Sequence, residues 1–402
     1  FVIADQTKRK QLIEKQIDKI VSANDWVIDT DPDLLEEVNN LVEWPTAFAG
    51  SFDKKYLVLP NAVLITSMKD NQRFFYLRDH EGNLSPNFIA VRNGNTDYLE
   101  NVIKGNERVL VPRLEDAKFF YEEDQKISID EYVERLKRVS FHDKISSMYD
   151  KMQRVAVIAA VLGKRLNFSD EELADLDRAA HIYKFDLTTQ MVGEFAELQG
   201  VMGEIYAKLF GEKPAVAQAI REHYMPVSAE GDLPESKIGA ALAIADKLDS
   251  IMSFFAVDMI PSGSNDPYAL RRQAFGIVRI IADRNWHLPL LNIQPEIVKA
   301  FDEAGLDVDI DISKNAAQVR SFFMDRIHQL LSGQHMKHDV IDAVTDTQSA
   351  DIENVLDAAN AIKAHHDDEN FKGVVEALTR VLRIAKKGNN DSSVKVDPSL
   401  FQ

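Results

Sequence analysis

At 402 residues the chain is longer than one hydrophobic core usually organises, so two or three domains are expected. Its hydrophobic content of 45% and charged content of 28% exclude a disordered polymer, and a formal net charge of −18 excludes a chain that coats nucleic acid non-specifically. Zero cysteines exclude disulfides, thiolate zinc sites and a cysteine nucleophile, which suits a reducing, cytoplasmic setting, and no run of 18 apolar residues is present to span a membrane.

The chain opens at Phe1 as if in mid-domain, which points to a piece of a longer polypeptide. "TKRKQLIEKQIDKIVSAN" has apolar residues at helical spacing. "YLVLP", "AVLITSM" and "RFFYLRD" are short β-branched and aromatic runs that predict strands, and "DHEGNLSPN" predicts a turn, with Gly82 and Pro86 as breakers. In the third of these runs Phe74, Phe75 and Tyr76 alternate along the strand and pack at least one face into the core. Together these make a small α+β module. From "SIDEYVERLKRV" onward the periodicity is helical almost without a break. Ser128 with Glu131, and Ser169 with Glu172, have the spacing of capping boxes. "NWHLPLLNIQPE" interrupts the run, with Pro289 and Pro295 flanking a short apolar linker, and a second helical body follows as far as "IAKKGNN".

Three basic segments stand out on this acidic chain. Lys104, Arg108 and Arg113 lie in the first, Arg271, Arg272, Arg279 and Arg284 in the second, and Arg380, Arg383, Lys386 and Lys387 in the third. In the second, Asp266 and Pro267 predict the start of a helix that puts Arg271 and Arg272 one turn in and Arg279 on nearly the same face. In the third, Arg380, Arg383 and Lys387 make one helical stripe, while Phe371, Leu378 and Ile384 read as core. Guanidinium rows of this kind suit phosphate oxygens along a nucleic-acid backbone, and the alternative for each is a solvated or internally paired helix face. The glycines of "GEFAELQGVMG" lack the spacing and preceding strand of a nucleotide loop.

"KMQRVA", "AAHIYKFD" and "IADKLD", in that order, resemble the three helical ligand segments of HD phosphohydrolases. In that family a histidine, a His-Asp pair and a distant aspartate bind a divalent metal. The corresponding positions here are Lys151, Tyr183, Lys184 and Asp246, so one ligand of four remains and no metal is expected. His142-Asp143 precedes the first of these helices. His181 stands two positions early, about 200° around a helix from the ligand face. A site improvised from His142, His181, His223 and Asp246 is set aside, because a lone histidine is most often a hydrogen-bonded core or surface residue. An Asp246 carboxylate left without its cation would be expensive, and Lys151 and Lys184 stand where ligands stood. A Lys–Asp ion pair in place of the metal is therefore expected.

The longer stretches "EWPTAFAGSFDKKYLVLP", "NERVLVPRLEDAKFFYEED", "MVGEFAELQGVMGEIYA", "ALAIADKLDSIMSFF" and "DPYALRRQAFGIVRII" resemble the β subunit of bacterial two-subunit glycyl-tRNA synthetases over essentially the whole chain, with both ends of that subunit missing. The resemblance implies a multidomain, mainly α protein. Residues 1–135 would form an α+β B3/B4-like module, 136–292 a degenerate HD-type helical domain, and 293–402 a linker and a partial helical anticodon-binding domain. It also implies a hetero-oligomer in which the α subunit activates glycine with ATP and magnesium, while this chain recognises tRNA-Gly and carries neither catalytic residue nor cofactor. Candidate RNA contacts are Arg271, Arg272, Arg279, Arg380, Arg383 and Lys387, with Lys184 added if the old active-site mouth is open. Two competing readings are an active metal-dependent phosphohydrolase, against which the missing ligands count, and a purely structural assembly subunit.

Overall fold

The computed structural model describes residues 2–306, 308–345, 351–365, 368 and 370–387. The described chain is mainly helical and divides into two compact units. The first comprises Phe1–Lys164, Phe168–Val227 and Gly231–Asp249, and the second Arg165–Asn167, Ser228–Glu230 and the chain from Ser250 onward.

The first unit begins with α1 (Gln6–Asn24) and α2 (Pro32–Leu41), each capped by an aspartate, Asp5 and Asp31, whose side chains accept early helix N–H groups. A three-stranded antiparallel sheet follows, with β1 (Pro45–Ser51), β2 (Phe75–Arg78) and β3 (Leu84–Asn93) in the order β1-β3-β2. β1 pairs along β3 from Pro45↔Asn93 to Ser51↔Asn87. Ile13, Ile17, Leu34, Leu35 and Val38 of the helices bury themselves with Phe75, Leu77 and Ile89 of the sheet. Phe74 is also buried and stacks on Phe88 at 4.4 Å between ring centroids.

Two of the three predicted strands are helical. "YLVLP" lies across a 3-10 turn, Lys54–Val58, and "AVLITSM" lies in α3 (Asn61–Gln72). The buried positions Val63, Leu64, Ser67 and Met68 repeat with helical spacing, and Pro60 leads into the helix. Short apolar runs do not distinguish the two structures by pattern alone. Pro86, read as a turn breaker, lies within β3, where the β2 pairing shifts register between Tyr76 and Arg78. Proline is tolerated in a strand at such an irregularity.

Beyond the sheet come α4 (Leu99–Asp124) and α5 (Ile129–Arg135), then a small hairpin of β4 (Ser140–His142) and β5 (Ser146–Ser147) that interrupts the expected helical run. The helices α6 (Met148–Arg165), α7 (Asp170–Ile182), α8 (Gln190–Glu194), α9 (Val201–Leu209), α10 (Pro214–Glu222) and α11 (Lys237–Ala256) follow. Ser169 and Glu172 form the reciprocal capping box at the start of α7, and Ser128 caps α5 by accepting the Glu131 N–H. Residues of α11 up to Asp249 belong to the first unit and those from Ser250 to the second.

The second unit contains α12 (Leu270–Arg284), α13 (Gln294–Glu303), α14 (Ala316–Gly333), α15 (His338–Thr345), α16 (Ile352–His365) and α17 (Phe371–Lys387). α12 packs on α14 and α16, and α15 on both of these. Pro295 opens α13 instead of bounding a linker. Among the described residues no helix is long and apolar enough to cross a membrane.

Asp124, at the end of α4, is completely buried and serves four donors. Its carboxylate accepts the N–H groups of Gln190 (2.8 Å) and Met191 (2.9 Å), and the hydroxyls of Tyr206 (2.9 Å) and Tyr132 (3.2 Å). Asp124→Ala strands the Gln190 and Met191 N–H groups and the Tyr206 hydroxyl, while Tyr132 keeps its 2.9 Å bond to the residue-124 carbonyl, so the urea midpoint should fall by the equivalent of about 3 kcal/mol. A loss below about 0.5 kcal/mol would show that these bonds are not a stabilising hub.

Candidate functional site

The three sequence segments that carried the metal-ligand pattern converge in the first unit. Lys151 projects from α6, Tyr183 and Lys184 follow the last turn of α7, and Asp246 lies on α11. All four are buried, Lys184 with 6% of its surface exposed. The structure adds two residues that the motif did not name, Arg154 and Asp249, each one helical turn beyond Lys151 and Asp246. A signal was available: a basic pair spaced i, i+3 on one helix answers an acidic pair at the same spacing on another.

The Lys151 ammonium lies 3.2 Å from Asp246 Oδ1 and 3.1 Å from Asp249 Oδ2, and donates to the Asp246 carbonyl at 2.9 Å. Arg154 takes Asp249 with two nitrogens, Nε at 2.7 Å and Nη2 at 3.1 Å. The Tyr183 hydroxyl donates to Asp246 Oδ1 at 2.8 Å. The cation between these two carboxylates is therefore an ammonium, in hydrogen-bonding geometry and with one positive charge. It offers no open coordination position and activates no water. These residues do not fit a catalytic metal.

Lys184 has a different role from the one expected. Its Nζ sits 3.9 Å from the centre of the Tyr224 ring and 5.3 Å from that of Tyr183. Burial pushes its pKa down to about 8, with Asp246 opposing the shift and Lys151 adding to it. Burial also works against the Asp246 carboxylate, but Lys151, then Lys184, His223 and Lys247, outweigh it and hold Asp246 well below the usual carboxylate range. His223 is completely buried and kept neutral by burial and by Lys184, and its ring meets Tyr183 edge-on at 4.7 Å. Lys247 donates to the His223 carbonyl at 2.9 Å.

Asp186 has its pKa raised by burial to about 6, against the opposing N–H of Gly200. Gly200 has φ +79°, and a Cβ there would fall 2.6 Å from a Tyr224 ring carbon. Of the glycines of "GEFAELQGVMG", Gly200 and Gly203 thus serve close packing, Gly203 against Ile220 and Asp186. His142 belongs to β4, and His181 is partly exposed with Nδ1 2.8 Å from the Asp177 carbonyl.

The candidate RNA contacts divide by exposure. Lys184 is buried and does not present its ammonium at the surface. Arg272 is exposed and Arg271 half-buried, and among the described residues neither guanidinium makes an ion pair. Their helix starts at Leu270 instead of Pro267, because Ala269 adopts the left-handed conformation. Asp266 nevertheless serves its end, accepting from Leu270 N (2.8 Å) and Arg271 N (2.9 Å). Arg279 donates to the Ala229 carbonyl at 2.7 Å. Arg380 and Arg383 are exposed on α17, and the Lys387 side chain lies outside the described residues. Leu378 and Ile384, read as core, are 57% and 72% exposed, since no described residue covers that face of α17.

The model of the family described as "Glycyl-tRNA synthetase beta subunit" matches residues 1–346. The chain is similar to the glycine–tRNA ligase beta subunits of Limosilactobacillus reuteri (77% identity over 403 residues), Limosilactobacillus fermentum (66% over 403) and Lactiplantibacillus plantarum (57% over 402). Each comparison covers 100% of this chain and 58% of the relative, so the chain spans a little under three fifths of these relatives' length.

The buried network makes two outcomes measurable. Lys151→Met leaves Asp246 and Asp249 without their shared ammonium, and should cost about 3–5 kcal/mol in urea unfolding. Lys184→Met should have the opposite sign. Its folded-state pKa of about 8 lies below the ordinary 10.5, so the buried charge destabilises the fold fully below pH 8, and that cost fades as the pH rises towards 10.5. The variant should be more stable than the wild type at neutral pH by on the order of 3 kcal/mol, and more than half of that gain should vanish by about pH 9.5. A pH-independent difference, or a loss of stability, would show that the Lys184 charge is not held against a desolvation cost.

Proposed function

The chain belongs to the glycyl-tRNA synthetase β-subunit family, and from that premise we propose that it is the tRNA-recognising part of a two-subunit glycine–tRNA ligase. The observation that carries this reading is the family match over residues 1–346, joined to 77% identity along the whole chain. In this proposal the partner α subunit activates glycine with ATP and magnesium. This chain contributes no catalytic group and no cofactor, and works as part of a cytoplasmic hetero-oligomer. Residues 1–135 act as the B3/B4-like module, 136–292 as the degenerate HD-type domain, and 293–402 as the linker and opening of an anticodon-binding domain.

The ammonium shared by Asp246 and Asp249 supports a scaffold that has given up hydrolysis. RNA contact then belongs to Arg271 and Arg272 on α12 and to Arg380 and Arg383 on α17, which make no ion pair among the described residues. Arg279 is partly occupied by its bond to Ala229 and contributes less.

Labelled tRNA-Gly titrated with the chain, with and without the α subunit, tests the reading. Binding should weaken steeply between about 50 and 200 mM salt, since each phosphate contact releases counterions. Neutralising Arg271 and Arg272 together should lower the slope of log K against log salt by about 2 and weaken binding without changing which tRNA is preferred. Retention of the α subunit with no RNA affinity at any salt would replace the proposal with a purely structural role.

A further inference from the structure

Apart from the buried network, the second unit holds a group of side chains with the donor set of a transition-metal centre. His328 lies on α14, α15 opens on His338, and Asp342 follows one turn later on α15. Each offers one ligand atom, and the three atoms lie within 4.8 Å of one another. Zinc held at 2.0–2.2 Å by imidazole and carboxylate has neighbouring ligand atoms roughly 3.3–3.5 Å apart in a tetrahedron. Small side-chain rotations close that difference.

The positions are set by buried structure. Leu331 is fully buried on α14, and Met336, Val340 and Ile341 are buried at the start of α15. The two helices are thereby fixed in the core while their outer faces present the histidines. His338 Nδ1 lies 2.9 Å from Asp342 Oδ2, and His328 Nδ1 lies 3.3 Å from Ser332 Oγ. The Ser332 contact orients the His328 ring through Nδ1 and leaves its Nε2 available, while the His338 Nδ1 and Asp342 Oδ2 atoms are already as close as two ligands that share one cation in place of a proton.

An i, i+4 ion pair explains His338 with Asp342. It does not explain why the His328 ring comes from another helix to meet His338 edge-on at 5.5 Å, with side-chain exposures of 78% for His338 and 60% for Asp342. Holding the exposed His338 and Asp342 side chains beside the half-buried His328 costs rotamer freedom that a shared cation would repay.

We propose that His328, His338 and Asp342 bind a divalent transition metal of the zinc class, joining α14 to α15. Two imidazoles and one carboxylate suit Zn2+, Co2+ or Ni2+ and leave a fourth position for water. Magnesium and calcium, which prefer all-oxygen shells, do not match this set. Lys337 precedes the first α15 ligand and its charge opposes the cation, so the affinity is that of a three-ligand surface site, not of a closed four-ligand one.

The test is a titration of the 402-residue chain with Co2+ alone at neutral pH, read through its visible d–d absorption and followed by displacement with Zn2+. One saturating equivalent with the strong absorption of low coordination number is expected. His338→Gln and Asp342→Asn, both at exposed positions, should keep the circular dichroism spectrum and weaken Co2+ binding by roughly 10- to 100-fold. His80→Gln, in the first unit, should change nothing. With ten histidines in the chain, adventitious binding is separable by this pattern. No saturable band, or equal affinity in wild type, His338→Gln and Asp342→Asn, would overturn the proposal.

Discussion

Two carboxylates one turn apart on α11 and two cations one turn apart on α6 meet where almost no water reaches, and the first unit is arranged around that meeting. Removing such charges from water costs several kcal/mol for each ion, so the arrangement survives only if every charge finds a partner of good geometry. Asp249 achieves this with a two-nitrogen grip from Arg154 and a share of Lys151, and Asp246 with Lys151 and the Tyr183 hydroxyl. A helix that slipped by one residue would strand all four groups. The network therefore fixes register as much as it adds stability, as buried polar pairs do in helical assemblies.

The same arithmetic explains the chemistry. A divalent ion between these carboxylates would bring two charges and an open face. The ammonium brings one charge and three short-range donors, all of which it can use internally. The remaining positive charge at this end of the first unit comes from Lys184, held over an aromatic face instead of a carboxylate, and from Lys247, held at the His223 carbonyl. The outcome is a closed interior in which both carboxylates are neutralised. Asp186, which lies near Lys184 electrostatically and has its own pKa raised by burial, shows how little solvent the region admits.

How much of this could be read in advance depended on the range of the signal. The positions Lys151, Tyr183, Lys184 and Asp246 followed from the resemblance of three segments to the HD ligand pattern, and α7's Ser169–Glu172 box followed from four adjacent residues. Partner choice did not follow. Lys184 and Lys151 stood equally well for the counter-ion, and only the packing of Tyr224 against Gly200 shows why Lys184 rests on a ring. The misread strands have the same origin. "AVLITSM" is β-prone by composition, but its four-residue burial repeat and the Pro60 entry favour a helix, and burial outweighed propensity. Pro86 argued against a strand, yet the register shift opposite it supplies the place where its missing N–H goes unrequired. The convergence of His328 with His338 and Asp342 depends on how α14 and α15 pack, and no spacing rule across residues 328–342 announces it.

Charge gives the family reading its physical limits. A chain of net charge −18 repels a polyanion at long range, so any RNA affinity must come from cations within about 8 Å of the phosphates, where screening has not removed them. Such cations are useful only if no internal carboxylate has claimed them, and Arg178 and Arg221, each paired with a glutamate, are claimed. Arg272, Arg380 and Arg383 are exposed and unclaimed among the described residues. On α17 the arginines share a helix with the exposed apolar residues Val374, Leu378, Val381 and Leu382. A helix that carries both faces outward can contact a polyanion on one side only while something apolar covers the other. If α17 contributes to RNA recognition, that contribution therefore depends on the cover, which couples RNA affinity to assembly. Under the proposed function the acidic background would work as a filter, favouring contact in the orientation that brings the guanidinium groups unpaired among the described residues to the RNA backbone.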